Sequence, residues 1–200
     1  MISVRQQNHI KLDILIVFIA AMLYQFFHMI EHVVQAYQHW WLGRSIAESS
    51  GVLFFLNLEW NHFLFNLGYF IALAYLVFRF TSNSTILRQT LHRISEIIAL
   101  LWVAVLIQGY HVFEHSIRIV EHLHNNCEPC KDVLTWGFDG VYWHLTINAI
   151  VFFLAFIALM FIGPIFKQYA SRLLRLNDSL AKIGYLSIGV LLGVSASAIL

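Results

Sequence analysis

Two five-residue stretches of this chain carry the same ionisable residues in the same order, His28-Met29-Ile30-Glu31-His32 and His111-Val112-Phe113-Glu114-His115. On a helix, about 100° per residue gathers His28, Glu31, His32, Gln35 and His39 into one arc. The second copy aligns His111, Glu114, His115, Arg118 and His122 in the same way. Each copy ends a long apolar run, where imidazoles and carboxylates are costly to bury without partners. Imidazole nitrogen with a nearby carboxylate is a ligand set for Cu, Zn, Fe or Ni, whereas oxygen alone suits Mg or Ca.

The pattern continues onto the runs that follow. His62 and His144 are lone histidines near the start of the next apolar segments, each with an asparagine four residues on, Asn66 and Asn148. At an offset of 83, Gln25, His28, Glu31, His32 and His39 fall on Gln108, His111, Glu114, His115 and His122; at 82, His62 and Asn66 fall on His144 and Asn148. Seven such matches in a chain with 11 His indicate duplication of a two-helix unit. HxxEH is also similar to the zinc-binding signature of the inverzincin proteases, where the two His bind zinc and the Glu is the base.

The elements that must position these groups are membrane spans. The 200 residues are 60% hydrophobic and 12% charged, with mean hydropathy +0.71, against about 25% charged for a soluble domain. We expect an all-α integral membrane protein of about five transmembrane helices forming a single domain, 1–200. The apolar segments run about Leu12–Gln35, Phe63–Phe80, Ile94–Ile117, Val141–Phe166 and Leu180–Leu200, each near or above the roughly 20 residues a bilayer requires. The first and third continue as polar-striped helix to about Trp41 and Asn125. A four-helix bundle then follows from two hairpins, about 12–80 and 94–166, related as a parallel repeat. The extra helix, about 180–200, carries Gly189, Gly193 and Ser197 on one face, which suits contact with the bundle, a membrane protein partner or a second copy. Lys167–Lys182 reads as a surface amphipathic segment, and Thr81–Thr90 as a short polar turn.

Charge places the ends. Nine of the twelve Lys and Arg lie in the N-terminal segment and the second and fourth loops, and only Arg44, Arg118 and Lys131 near the first and third. The positive-inside bias predicts a multi-pass protein of the cell membrane, with a cytoplasmic N-terminus, an extracytoplasmic C-terminus and both motifs at the outer side. Met1–Gln35 has too long an apolar stretch for a cleaved signal peptide. No basic run suggests nucleic acid as a partner. Cys127 and Cys130 read first as a local disulfide on the outer side, with a soft-metal site shared with His122 or His124 as the alternative.

Antiparallel packing would bring His28, Glu31, His32 and His62 together opposite His111, Glu114, His115 and His144, giving six imidazoles and two carboxylates at one depth. These eight residues are the candidate metal ligands, with Glu31 and Glu114 also the candidate catalytic groups. Gln25, Gln108, Asn66 and Asn148, about one turn deeper, are candidates to fix ring tautomers. The function expected is a transition-metal protein, Cu or Fe ahead of Zn, acting as an oxidoreductase on a small or membrane-accessible substrate. The alternatives are a hydrogen-bonded staple without an ion, a b-type haem protein, a membrane zinc hydrolase, a metal transporter and a non-catalytic accessory subunit. Haem ranks below bare metal because Phe26 and Phe27 flank the first motif and a paired Glu has no role beside a porphyrin. Transport ranks low because the inner halves of the spans offer no polar path. His9, His92 and His124 lie off the stripes or in loops, and His39 and His122 suit a wet surface or vestibule.

Overall fold

The computed structural model describes residues 4–53, 59–89, 91–127, 130, 139–163, 165 and 167. Among them the regular structure is helical: α1 (Val4–Ala36), α2 (Glu59–Ser82), α3 (Ser84–Leu87), α4 (Ile94–Asn125) and α5 (Gly140–Phe161). The expected fifth span and the amphipathic segment before it lie outside the described residues, apart from Lys167. Four helices, including α1 with its continuation to Trp41, are long and apolar enough to cross a membrane.

Local chemistry sets several ends. α1 passes into a wider π turn over Tyr37–Trp41. α4 stops at Asn126, whose left-handed φ of 50° lets its N–H return to the His122 carbonyl. α5 begins at Asp139, whose carboxylate accepts from the N–H groups of Val141 (2.9 Å) and Tyr142 (3.1 Å). In the first connection, Ser45 and Glu48 form a capping box, and the Ser45 hydroxyl and N–H hold the Glu48 carboxyl below the usual carboxylate range. The expected polar turn at 81–90 is shorter than predicted, because α2 runs on to Ser82 and α3 follows at once.

The four long helices form an up-down-up-down bundle in which α1 and α4 each pack against α2 and α5. Each neighbouring pair is registered by polar contacts. Arg79 pairs with Asp13 (2.8 Å) between α2 and α1, while Gln25 donates to Asn148 (2.8 Å) between α1 and α5. Gln108 donates to Asn66 (3.0 Å) and Arg118 to Glu59 (2.6 Å) between α4 and α2. Arg93 lies over the Phe161 ring (4.1 Å) between α4 and α5. One half of the bundle is an apolar core that includes Ile14, Phe18, Leu73, Phe80, Leu101 and Val151.

The other half is inside-out by the standards of a water-soluble protein. Its interior holds Gln25, His28, Asn66, Gln108, His111, His115 and Asn148, none more than 1% exposed, while Phe27 (63%), Leu106 (68%) and Phe113 (57%) face outward. Apolar outside and polar inside is the arrangement that hydrocarbon surroundings favour. Trp40, Trp41 and Trp60 are also exposed, at the motif end of the bundle.

Candidate metal centre

The polar stripe of each long helix is turned into the bundle because its opposite face is too apolar to pack anywhere but outward. His28 and His32 on α1, His62 on α2, His111 and His115 on α4 and His144 on α5 meet at one level. Ring centroids lie 4.8 Å apart for His28 and His62, 4.6 Å for His62 and His115, 5.1 Å for His115 and His144, and 5.2 Å for His111 and His144. His32 reaches across the bundle to His144 at 6.0 Å.

Three overlapping sets could hold a metal ion: His28, His32 and His62; His62, His111 and His115; His111, Glu114 and His144. In each, one ligand atom per residue lies within 4.8 Å of the others. Two nitrogens bound to one tetrahedral ion at about 2.0–2.1 Å would be about 3.3 Å apart. The His28 and His32 Nε2 atoms are at that separation, 3.2 Å; the looser pairs need ring movements of about an ångström to close on an ion.

Neighbours fix several rings. His32 Nδ1 bonds Gln35 Oε1 (2.9 Å), which commits Nδ1 as donor and turns the Nε2 lone pair toward the cluster. His111 Nδ1 lies 3.4 Å from Glu114 Oε2, and its Nε2 is 3.3 Å from Asn148 Nδ2. Asn148 and Asn66 also donate to the carbonyls of His144 and His62, one turn back (2.9 Å each). The glutamines therefore brace the asparagines between helices, and of these four amides Asn148 reaches an imidazole.

Other nitrogens make no hydrogen bond within the protein. Both ring nitrogens of His115, His28 Nδ1 and His144 Nε2 are buried without a hydrogen bond. Each such group costs on the order of 1–3 kcal/mol if left unsatisfied. His28, His115 and His144 fall one in each of the three candidate sets, where a cation could take up one lone pair from each ring.

The two glutamates part company. Glu114 stays in the cluster: it accepts from Trp143 Nε1 (3.2 Å) and His111, and its Oε1 lies 3.6 Å from His144 Nε2. Glu31 does not join it. Its carboxylate accepts from the N–H groups of Val52 (2.7 Å) and Leu53 (3.1 Å), where Gly51 at φ +74° turns the chain back over α1. Two carboxylates are expected among the imidazoles; here Glu114 lies among them, while the folded-back loop satisfies Glu31, which is in none of the three sets. Phe26 and Phe27 also face outward, so their bulk is no argument about a cofactor.

Outside the cluster, His39 and His122 clamp the connections that follow their helices, on the carbonyls of Arg44 (2.7 Å) and Cys127 (2.6 Å), five residues on in each case. His39 also meets Asp139 at 3.0 Å. Cys127 and Cys130 form a disulfide, and Cys130 N–H donates to Glu59 (3.0 Å), the partner of Arg118. The sequence puts Arg118 on the polar stripe of the second motif, but neither its pairing with Glu59 nor that of Trp143 with Glu114 is read from it. The signals available were the i, i+3 spacing of Glu59 and His62 and the position of Trp143 next to His144.

Two recesses approach the cluster. A cavity of about 40 Å³ touches His32, His62 and His144 together with Glu59 and Arg118. A recess of about 400 Å³ lies between α4 and α5, lined by apolar residues such as Leu106, Ile107 and Ile150 together with Trp143. No protein-family model, characterised protein or solved structure matches the chain.

Proposed function

We propose that this is a membrane-embedded transition-metal protein in which His28, His32, His62, His111, His115, His144 and Glu114 supply the ligands, and that it acts as an oxidoreductase. The observation that carries the reading is that His28, His115 and His144, one in each candidate set, have buried ring nitrogens without a hydrogen bond, set among further imidazoles on four helices. With Glu31 committed to the loop, the donor set is six imidazoles to one carboxylate. That balance favours copper first and iron next, since nitrogen-rich sites bind Cu most tightly and iron bundle sites draw on more carboxylates. The bound ion would supply Lewis acidity and electron exchange. Glu114 would handle protons beside it, oriented by the Trp143 indole.

The duplication supports the same reading. Gln25 with Asn148 and Gln108 with Asn66 are repeat-related pairs bridging repeat-related helices. The charge asymmetry puts the cluster on the extracytoplasmic side of the cell membrane, with the N-terminus inside.

A staple without an ion is favoured by the contacts of Glu31, Gln25 and Gln108 but offers no account of His115. Haem lacks room, because the rings lie 4.6–5.2 Å apart beside a cavity of about 40 Å³. A zinc hydrolase would use Glu114 as base, and metal identity separates it.

The test is elemental analysis of purified protein beside the His28→Ala/His115→Ala double substitution. On the order of one Cu or Fe ion per chain is expected, with loss of most of it in the variant. Folded wild type that takes up no ion when offered Cu, Fe or Zn would falsify the reading; stoichiometric Zn alone would move it to the hydrolase.

A further inference from the structure

The cavity of about 40 Å³ joins three cluster imidazoles, His32, His62 and His144, to the Arg118–Glu59 ion pair contributed by α4 and α2. His144, one of the lining residues, has its Nε2 buried without a hydrogen bond and 3.6 Å from Glu114 Oε1, and His32 is held by Gln35, with its Nε2 turned to His28 Nε2 at 3.2 Å. Val141, in the first turn of α5, closes another side.

Size and polarity restrict what can occupy this space. A single water requires about 10–15 Å³ on this measure, so about 40 Å³ takes roughly three heavy atoms. The charged pair in the wall suits a polar occupant and rejects a hydrocarbon chain. The larger recess of about 400 Å³ between α4 and α5 is a different environment. None of the cluster imidazoles lines it, and it meets the Trp143 indole, which is bonded to Glu114. A lipid-sized molecule in that recess meets an indole, a phenol, a threonine side chain and aliphatic groups, and no imidazole.

Resting on the metal reading above, we propose that the cavity is the exogenous-ligand position of the centre, and that it admits a polar oxygen- or nitrogen-donor molecule of no more than three heavy atoms, in the class of water, peroxide or azide. The substrate that meets the ion is therefore small and polar. Lipid-like molecules are excluded from direct coordination. The Arg118–Glu59 pair forms the charged wall of the cavity, with Glu59 itself held by the Cys130 N–H (3.0 Å).

The experiment uses the full-length, metal-replete protein in lipid nanodiscs, with azide as probe and infrared spectroscopy as readout, since the azide stretch shifts on coordination to Cu, Fe or Zn alike. Elemental analysis runs in parallel. Wild type is expected to show a saturable bound-azide band that disappears after chelation. Val141→Ile and Val141→Phe should retain metal and weaken azide binding in that order, by at least about tenfold for Phe, and 4-phenylimidazole should not compete. Should Val141→Phe lose metal, the Ile variant alone decides, with measurable weakening expected. Metal present without an azide band, azide affinity unchanged by filling at Val141, or displacement by 4-phenylimidazole would each overturn the proposal. A folded chain that takes up no metal instead sinks the metal reading on which it rests.

Discussion

At the scale of single residues, His115 and Glu31 separate a metal centre from a hydrogen-bonded staple. His115 has two buried ring nitrogens and no hydrogen bond to either. In a staple, His115→Ala would remove an unsatisfied group and leave the fold no weaker; at a metal centre it removes a ligand. We expect metal affinity to fall at least about 100-fold, more than the 10–100-fold typical of losing a residue that merely orients a ligand. The metal-free protein should melt within a few degrees of wild type. Competition with a chelator and calorimetry measure the two effects. Gln35→Leu frees the His32 ring that Gln35 now holds, and should weaken metal binding about 10–100-fold without abolishing it.

The same chemistry has opposite roles at the two glutamates. Glu114→Gln keeps the shape of the side chain but loses the charge facing His111 and His144 (3.4 and 3.6 Å). Metal affinity and any redox activity should drop. Glu31→Gln should leave metal content unchanged and destabilise the loop, since two N–H groups exchange a charged acceptor for a neutral one, a difference of about 1 kcal/mol each. Metal per chain and thermal unfolding of the two variants, run together, check the asymmetry.

At the scale of elements, the connection after α1 is held by a few polar contacts. Gln38 bonds both the N–H and the carbonyl of Gly51 (3.0 Å each), and Glu31 takes the next two N–H groups. Gly51 is required there twice over: its φ is +74°, and a Cβ would run into Glu31 Oε2. Gly51→Ala should therefore release the connection, at a cost of about 1–2 kcal/mol from the backbone alone. Faster proteolysis between Leu42 and Leu53, with the four spans intact, is the expected result. An unchanged cleavage rate would show that Glu31 is not what holds this segment.

At the scale of the whole molecule, the bundle places its buried polar cluster toward one end and its apolar core toward the other. A site of this kind has one accessible side. The charge distribution predicts that this side is extracytoplasmic. Single cysteines introduced into the disulfide-free chain, at Ser45 and at Ser84, should be labelled by an impermeant thiol reagent from opposite sides of intact cells, Ser45 from outside. Labelling of Ser84 from outside would invert the topology and put the cluster on the cytoplasmic face.

Hydropathy alone determined the four described spans, because length and apolar content suffice to define a crossing segment. Periodicity alone determined which face of each helix is polar, and the constant offset brought His62 and His144 into the candidate set beside the two motifs. What periodicity cannot specify is where a flexible carboxylate turns. Glu31 and Glu114 occupy equivalent positions in the sequence, yet a loop of low regularity claims one and an indole with imidazoles holds the other. That division depends on the path of residues 42–53 and on Trp143, contacts between segments 21 and 29 residues apart in the chain. The pairing of Arg118 with Glu59, 59 residues away, is of the same kind. Helical faces are local properties of the chain, whereas the partners those faces meet are decided only when four helices close around one axis.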